Sequence, residues 1–200
     1  MLKITHLAHA CFLIENGLEK LIIDPCDKNF GYEMKNEKVN YLLVSHEHWD
    51  HNCVDNIEVI NNTGSFKINK INSYHDQENG NLRGTNIIHV IETIDTRICH
   101  LGDLGHTLSE EQTKLIGKID ILLIPVGGIY TINYQEAIEV AKQLNSHVVI
   151  PMHYKTPYWG EDKGIDSLDM FTNNIAEYKI TELEKCLEYI KPSEKTLYII

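Results

Sequence analysis

Ser45-His46-Glu47-His48-Trp49-Asp50-His51 follows directly on the apolar run Tyr41-Leu42-Leu43-Val44. Three histidines and two carboxylates fall within six consecutive positions, at the end of a segment whose continuous apolar character predicts a strand covered on both faces. So many ionisable groups beside a core are costly unless something compensates them. The spacing names the compensation. Residues two apart in extended chain point the same way, so His46 and His48 can grip one ion together. Asp50 and His51 follow where the chain turns, and can face a second. Neutral imidazole and carboxylate suit divalent zinc, manganese or iron.

Outward from this stretch the same arrangement recurs. LIID ends at Asp24, ICHLGD at Asp103 and VVIPMH at His153. In layered α/β proteins the loops beyond strand ends are where sites assemble. Short apolar or alternating runs predict strands over residues 2–7, 11–15, 20–23, 39–44, 66–69, 87–92, 96–101, 119–125, 147–150 and 196–200, with Asn16-Gly17 as a hairpin turn. Helices are expected over residues 53–60, capped by Asp50 or Asn52, over 109–115 and 165–174, and over 134–144. Ser109-x-x-Gln112 has the form of a capping box, and Ala137, Val140, Ala141 and Leu144 share one helix face. Residues 180–190 are of mixed character. Strands and helices alternate without repeat or linker, which predicts a single α/β or α+β domain over residues 1–200.

The composition fits that reading. At 200 residues, 42% hydrophobic and 24% charged, the chain can bury a sizeable core. Its net charge of −11, from 29 acidic and 18 basic residues, argues against nucleic acid or an anionic membrane as partner. The five cysteines, Cys11, Cys26, Cys53, Cys99 and Cys186, form no Cys-x-x-Cys pair, as expected of a reduced, cytoplasmic protein. No stretch approaches the length of a membrane span, and the N-terminus has no continuous apolar signal segment.

His46-Glu47-His48-Trp49-Asp50-His51 resembles the signature of the metallo-β-lactamase superfamily, and His75 in SYHD, Asp103 in GDLGH and His153 in IPMHYKT follow in the same order. ITHLAHACFLI, IIDP and IPMHYKT are similar to the branch of small metal-dependent hydrolases that includes ascorbate-6-phosphate lactonase, over Ile4 to Thr156. Two departures from that branch are Ala8, where glycine usually precedes the histidine, and Leu104 after Asp103.

The resemblance implies a four-layer αββα sandwich with the site at one edge between the sheets. It implies a first metal on His46, His48 and His75, a second on Asp50, His51 and His153, and Asp103 bridging them. It also implies assembly into dimers or larger rings. The histidine at position 48 differs from the glutamate of the superfamily's di-iron oxidoreductases. At 200 residues the chain leaves no room for the added domains of its RNA-processing nucleases.

Two divalent ions about 3.5–4 Å apart lower the pKa of a shared water toward neutrality, and the hydroxide so formed attacks a carbonyl or phosphoryl centre. The expected reaction is hydrolysis of an ester-like bond, a lactone or phosphoester, in a small substrate, with zinc as first metal and manganese as second choice. Asp50 is the candidate to orient the nucleophile or return a proton. Around the metals, Asp24 and Asp76 are candidates to orient liganding histidines, His9 and His106 to line the pocket, and Lys155 to meet an anionic group. The loops over residues 28–38, 79–83 and 154–163 are expected to set specificity. A mononuclear iron dioxygenase of the same fold and a metal-binding protein without turnover are the competing readings.

Overall fold

The apolar strands of the chain stack as two sheets. The computed structural model describes residues 1–60 and 64–200. In chain order the elements are β1 (Leu2–Ala8), β2 (Cys11–Asn16), β3 (Glu19–Ile23), β4 (Glu37–Val39), β5 (Tyr41–Leu43), β6 (Ile57–Val59), β7 (Lys67–Tyr74), β8 (Thr85–Glu92), β9 (Arg97–His100), α1 (Glu110–Ile116), β10 (Ile121–Pro125), α2 (Tyr134–Leu144), β11 (Val148–Met152), α3 (Leu168–Thr172), β12 (Lys179–Glu182), β13 (Leu187–Glu188) and β14 (Thr196–Ile199). The first sheet runs β13-β1-β2-β3-β5 and the second β12-β14-β11-β10-β9-β8-β7, while β4 and β6 form a separate two-stranded ribbon.

Alternation along each strand divides the core. Ile121 and Leu123 point inward to meet Ile4, Phe12, Ile14 and Ile23 of the first sheet. Leu122 and Ile124 point outward, under Ala137, Val140, Ala141 and Leu144 of α2. The expected helix face is therefore the buried one. A third cluster, including Ile22, Phe30, Met34 and Val39, covers the outer face of the first sheet. A 3-10 turn at Lys28–Phe30 and the β4–β6 ribbon form that layer. The α/β sandwich expected from the motif set is present.

The helix expected over residues 53–60 is not formed. Val54 N donates to Asn52 O, Ile57 N donates to Val54 O, and the chain then enters β6, paired parallel to β4. Val54, Ile57, Val59 and Ile60 are β-branched and lose side-chain freedom in a helix. Tertiary bonds from Cys53 N to Pro25 O at 2.8 Å and from Ile60 N to Val39 O at 3.0 Å hold the extended course. Asp50 and Asn52 accordingly cap nothing there, and Asn52 Nδ2 donates to Glu47 Oε2 at 2.6 Å. The strand expected over residues 66–69 extends to Tyr74, and the helix expected over 165–174 contracts to Leu168–Thr172.

The topology fixes where the site lies. β1, β3 and β5 run in one direction in the first sheet, and β7, β9, β10 and β11 share a direction in the second. Their C-terminal ends release His9, Asp24, the 45–51 stretch, His75, Asp103 and His153.

Candidate metal centre

Asp24 is the foundation of the centre. Its backbone is held in the left-handed region (φ 49), and its carboxylate is fully buried. Oδ1 accepts from Ser45 N at 2.6 Å, and Oδ2 accepts from Ser45 Oγ at 2.7 Å and lies 3.0 Å from His51 Nδ1. Burial alone would raise the Asp24 pKa, but the His51 bond and charge override it and hold the acid at about 2.

These bonds settle which imidazole nitrogens face the centre. Ser45 has one hydroxyl proton and gives it to Asp24, so His46 Nδ1 is the donor in its 2.9 Å contact with Ser45 Oγ. His51 Nδ1 donates to Asp24 in the same way. Burial and the neighbouring His51 depress the His46 pKa to about 3, so His46 is neutral and its Nε2 carries a lone pair. Ser45 was not a candidate from sequence. Its signal is only its place between the strand and the first histidine.

Asp103 stands opposite. Its Oδ2 is 3.1 Å from His75 Nε2, 3.2 Å from His51 Nε2, 3.3 Å from His153 Nε2 and 3.9 Å from His46 Nε2. These approaches are close without being aligned hydrogen bonds at His46 or His51, whose Nε2 atoms are buried and unpartnered, as is Asp103 Oδ1. The Asp103 pKa is held well below the carboxylate range by His153 and His51 against the opposing effect of burial. Asn86, also missed from sequence, supports this residue. Its Oδ1 accepts from Asp103 N at 3.0 Å, while its Nδ2 donates to Ser73 Oγ and Leu101 O. Gly102, with φ +57, is required between them, because a Cβ there would collide with Asn86 Oδ1 and Ser45.

Among the described residues, donor atoms within 4.8 Å of one another form three groups: His46, His48 and His75; His46, Asp50 and His51; and His9, His51 and His153. The first group is the set expected for one metal. His51 joins the other two, which together hold Asp50 and His153. His9, expected to line the pocket, instead stands among the donors of the centre. Buried at φ 55, it places Nε2 3.6 Å from Asp50 Oδ2 and its ring 4.1 Å from that of His153. His153 itself sits at φ 51 with its N–H donating to His9 O at 3.1 Å. Gly127 leaves room for this, since a Cβ there would collide with His153 O.

Three other candidates lie elsewhere. Asp76 makes none of its described bonds to a histidine. Instead it accepts four backbone N–H bonds, from Glu78, Gly80, Leu82 and Arg83 at 2.7–3.0 Å, and clasps the loop after His75. His106 turns away: Nδ1 donates to Thr107 O, Nε2 accepts from Tyr74 N, and the ring lines a separate cleft with Gln112. Lys155 is exposed beside β11, bonded through its backbone to Asp166, and does not line the pocket over the centre. His6, His89 and His100 lie in the sandwich, with His6 stacked on Phe12 at 4.6 Å. That pocket encloses about 380 Å³ above His48, Asp50, His75, Asp103 and His153.

A profile of the beta-lactamase superfamily domain matches residues 3–153. The chain belongs to this superfamily. Among relatives, a UPF0173 protein of Pyrococcus furiosus is 32% identical over 182 residues, covering 78% of this chain and 84% of the relative. A UPF0173 metal-dependent hydrolase of Thermoplasma volcanium is 30% identical over 190 residues, covering 77% and 84%. A solved structure from Thermotoga maritima, described as a Zn-dependent hydrolase of the metallo-β-lactamase superfamily, is 37% identical with a TM-score of 0.78, over 100% of this chain and 98% of that one. A metallo hydrolase from Ignicoccus hospitalis shares the fold at 19% identity and a TM-score of 0.68, covering 87% and 90%. In this beta-lactamase superfamily domain the matched region takes in every residue of the centre just described, from His9 to His153.

Proposed function

We propose that the chain is a metal-dependent hydrolase with two divalent cations, zinc first and manganese second, acting on an ester-like bond of a small molecule. One observation carries the reading. The buried Nε2 atoms of His46 and His51 converge on the carboxylate of Asp103 and, like its Oδ1, have no hydrogen-bond partner. Divalent cations bound on either side of Asp103, one of them displacing the His51 proton, would give all three a partner. The donor set, imidazole and carboxylate without thiolate, fits zinc or manganese.

His46, His48 and His75 would hold one ion, and Asp50, His51 and His153 the other, with His9 beside the second. Asp103 Oδ2, close to histidines of both sets, would be common to both. Cations bound there supply Lewis acidity and a water of near-neutral pKa. Everything else falls to side chains of this chain. Asp24 fixes the ring of His51, and Ser45 that of His46, so neither can swing to present Nδ1. Asp50 is half-buried at the pocket floor. His9 and His51 hold its pKa at about 2 against the upward effect of burial, so it is a carboxylate near neutral pH. Its oxygen would orient the attacking water and accept its proton for delivery to the leaving alkoxide. The lactone or phosphoester class follows from the likeness of the motif set to the small-hydrolase branch.

The test pairs metal content with turnover. Protein purified without chelator is expected to hold close to two zinc or manganese ions per chain and to hydrolyse members of a panel of esters, lactones and phosphodiesters. Asp50→Ala is expected to lower kcat by 10² or more. One iron per chain with oxygen consumption would overturn the reading in favour of a dioxygenase, and metal without turnover would leave a binding protein.

A further inference from the structure

The wall of the pocket above the centre is built from two kinds of side chain. Trp49, Trp159 and Tyr130 line it, with Trp159 and Tyr130 at 6.3 Å between centroids, and the buried Phe30 backs both tryptophans, 5.4 Å from Trp49 and 5.2 Å from Trp159. Next to them Arg83 lies with its guanidinium carbon 5.7 Å from the Tyr130 ring centroid. Lys163 also lines the pocket.

Arg83 is unusual for this chain. It is one of only two arginines in the chain, and the other, Arg97, is ion-paired with Glu92. The half-buried guanidinium of Arg83 makes no ion pair among the described residues. Nor is its position loose. Asp76 accepts from Arg83 N at 2.7 Å and from Leu82 N at 3.0 Å, and Gly84 O accepts from His75 N at 3.0 Å. The backbone of the loop that carries the arginine is thus tied to His75 and to the adjacent Asp76. A bare guanidinium in a fixed place beside an aromatic face is a bidentate anion receptor.

We propose that the substrate is a small amphipathic anion: an apolar or flat body lying on the Trp49–Tyr130 wall, an oxyanion group held by Arg83, and the scissile bond over the metals. This rests on the hydrolase reading and names its substrate class. A volume of about 380 Å³ is of the size that takes a small molecule. A wholly apolar ester would cover Arg83 without pairing it, which is unfavourable. A polyanion is opposed by the net charge of −11.

Both tryptophans of the chain line this pocket, so indole fluorescence reports its occupancy alone. Metal-loaded protein is titrated with phenylmethanesulfonate and with benzyl alcohol. Sulfonate is a poor ligand for divalent metals and so probes the wall rather than the centre. The sulfonate is expected to bind at least tenfold more tightly, and Arg83→Gln to bring the ratio close to one. In parallel, kcat/KM is measured for 4-acetoxybenzenesulfonate and phenyl acetate, with the same collapse of preference expected in Arg83→Gln. Equal binding of the two probes, no binding of either, or a preference that survives in Arg83→Gln at unchanged metal content overturns the substrate class. If both esters are turned over alike, the hydrolase reading stands and this one fails. If neither is turned over but the sulfonate preference depends on Arg83, the pocket stands and the hydrolase reading fails.

Discussion

Asp24, Ser45 and Asn86 touch no face of the pocket, yet each decides what another residue presents to it. Replacing Asp24 by alanine leaves His51 Nδ1 and Ser45 N unpartnered in a dry interior and frees the His51 ring to turn. Removing such an orienting carboxylate weakens metal binding by about 10–100-fold, so a zinc titration against a competing chelator should find Asp24→Ala weaker by that factor. Equal affinity would mean that packing alone orients the ring. Gly102 acts through space instead of charge. At φ +57, with Asn86 and Ser45 where a Cβ would go, Gly102→Ala should destabilise the fold by more than about 1 kcal/mol in denaturant unfolding. An unchanged midpoint would show that β9 can shift to admit a methyl group.

The loop between β7 and β8 depends on one carboxylate. Four backbone donors and the surrounding loop hold Asp76 at about 2 against the cost of desolvation. A depressed carboxylate contributes order that is present above its unfolded pKa of about 3.9 and lost as pH falls through the folded value. Asp76→Ala should therefore speed amide exchange of residues 78–83 near neutral pH, an effect the parent protein shows only in strong acid. Unaltered exchange would show that the His75–Gly84 bond suffices.

Helix α2 is easier to foresee. Asn133 caps it by accepting from Gln135 N and Glu136 N, and Glu136 returns a bond to Asn133 N. Asn133→Ala should cost about 1 kcal/mol in thermal unfolding. This helix was legible because its apolar positions follow one face, and α1 because Ser109 and Gln112 complete a capping box. Residues 53–60 misled because β-branched residues at compatible spacing fit either period, and the deciding bonds come from Pro25 and Val39. His46, His48 and His51 were legible from their spacing and His153 from its place at a strand end, whereas His75 was legible only through the family resemblance. Asp76 was not, since an aspartate after a histidine looks the same whether it orients the ring or gathers a loop. Arg83 was invisible for a related reason: a cation is conspicuous only when its missing partner can be seen.

Over the whole molecule the centre couples folding to both protons and metal. Burial opposes a charge on His51, but the carboxylates of Asp103 and Asp24 prevail and raise its pKa well above the ordinary value. In metal-free protein that proton stabilises the fold fully below the unfolded pKa of about 6.5, and the contribution is lost as pH climbs through the raised value. Asp24 and Asp50, held at about 2, contribute above about 3.9 and cease to as pH falls toward 2. A cation competes with the His51 proton and so binds better as pH rises. The increase in Tm on adding zinc should grow between pH 5.5 and 8, with proton release detectable by calorimetry in buffers of different ionisation enthalpy. An increase independent of pH would mean that His51 is neutral before metal arrives.

The donors divide between the sheets: His9, His46, His48, Asp50 and His51 leave strands of the first, and His75, Asp103 and His153 leave strands of the second. In the division of ligands proposed above, each ion draws on both. A bound ion is therefore also a rivet across the seam of the sandwich, and the chain can be expected to feel a chelator mechanically, by slippage of one sheet over the other, as well as chemically.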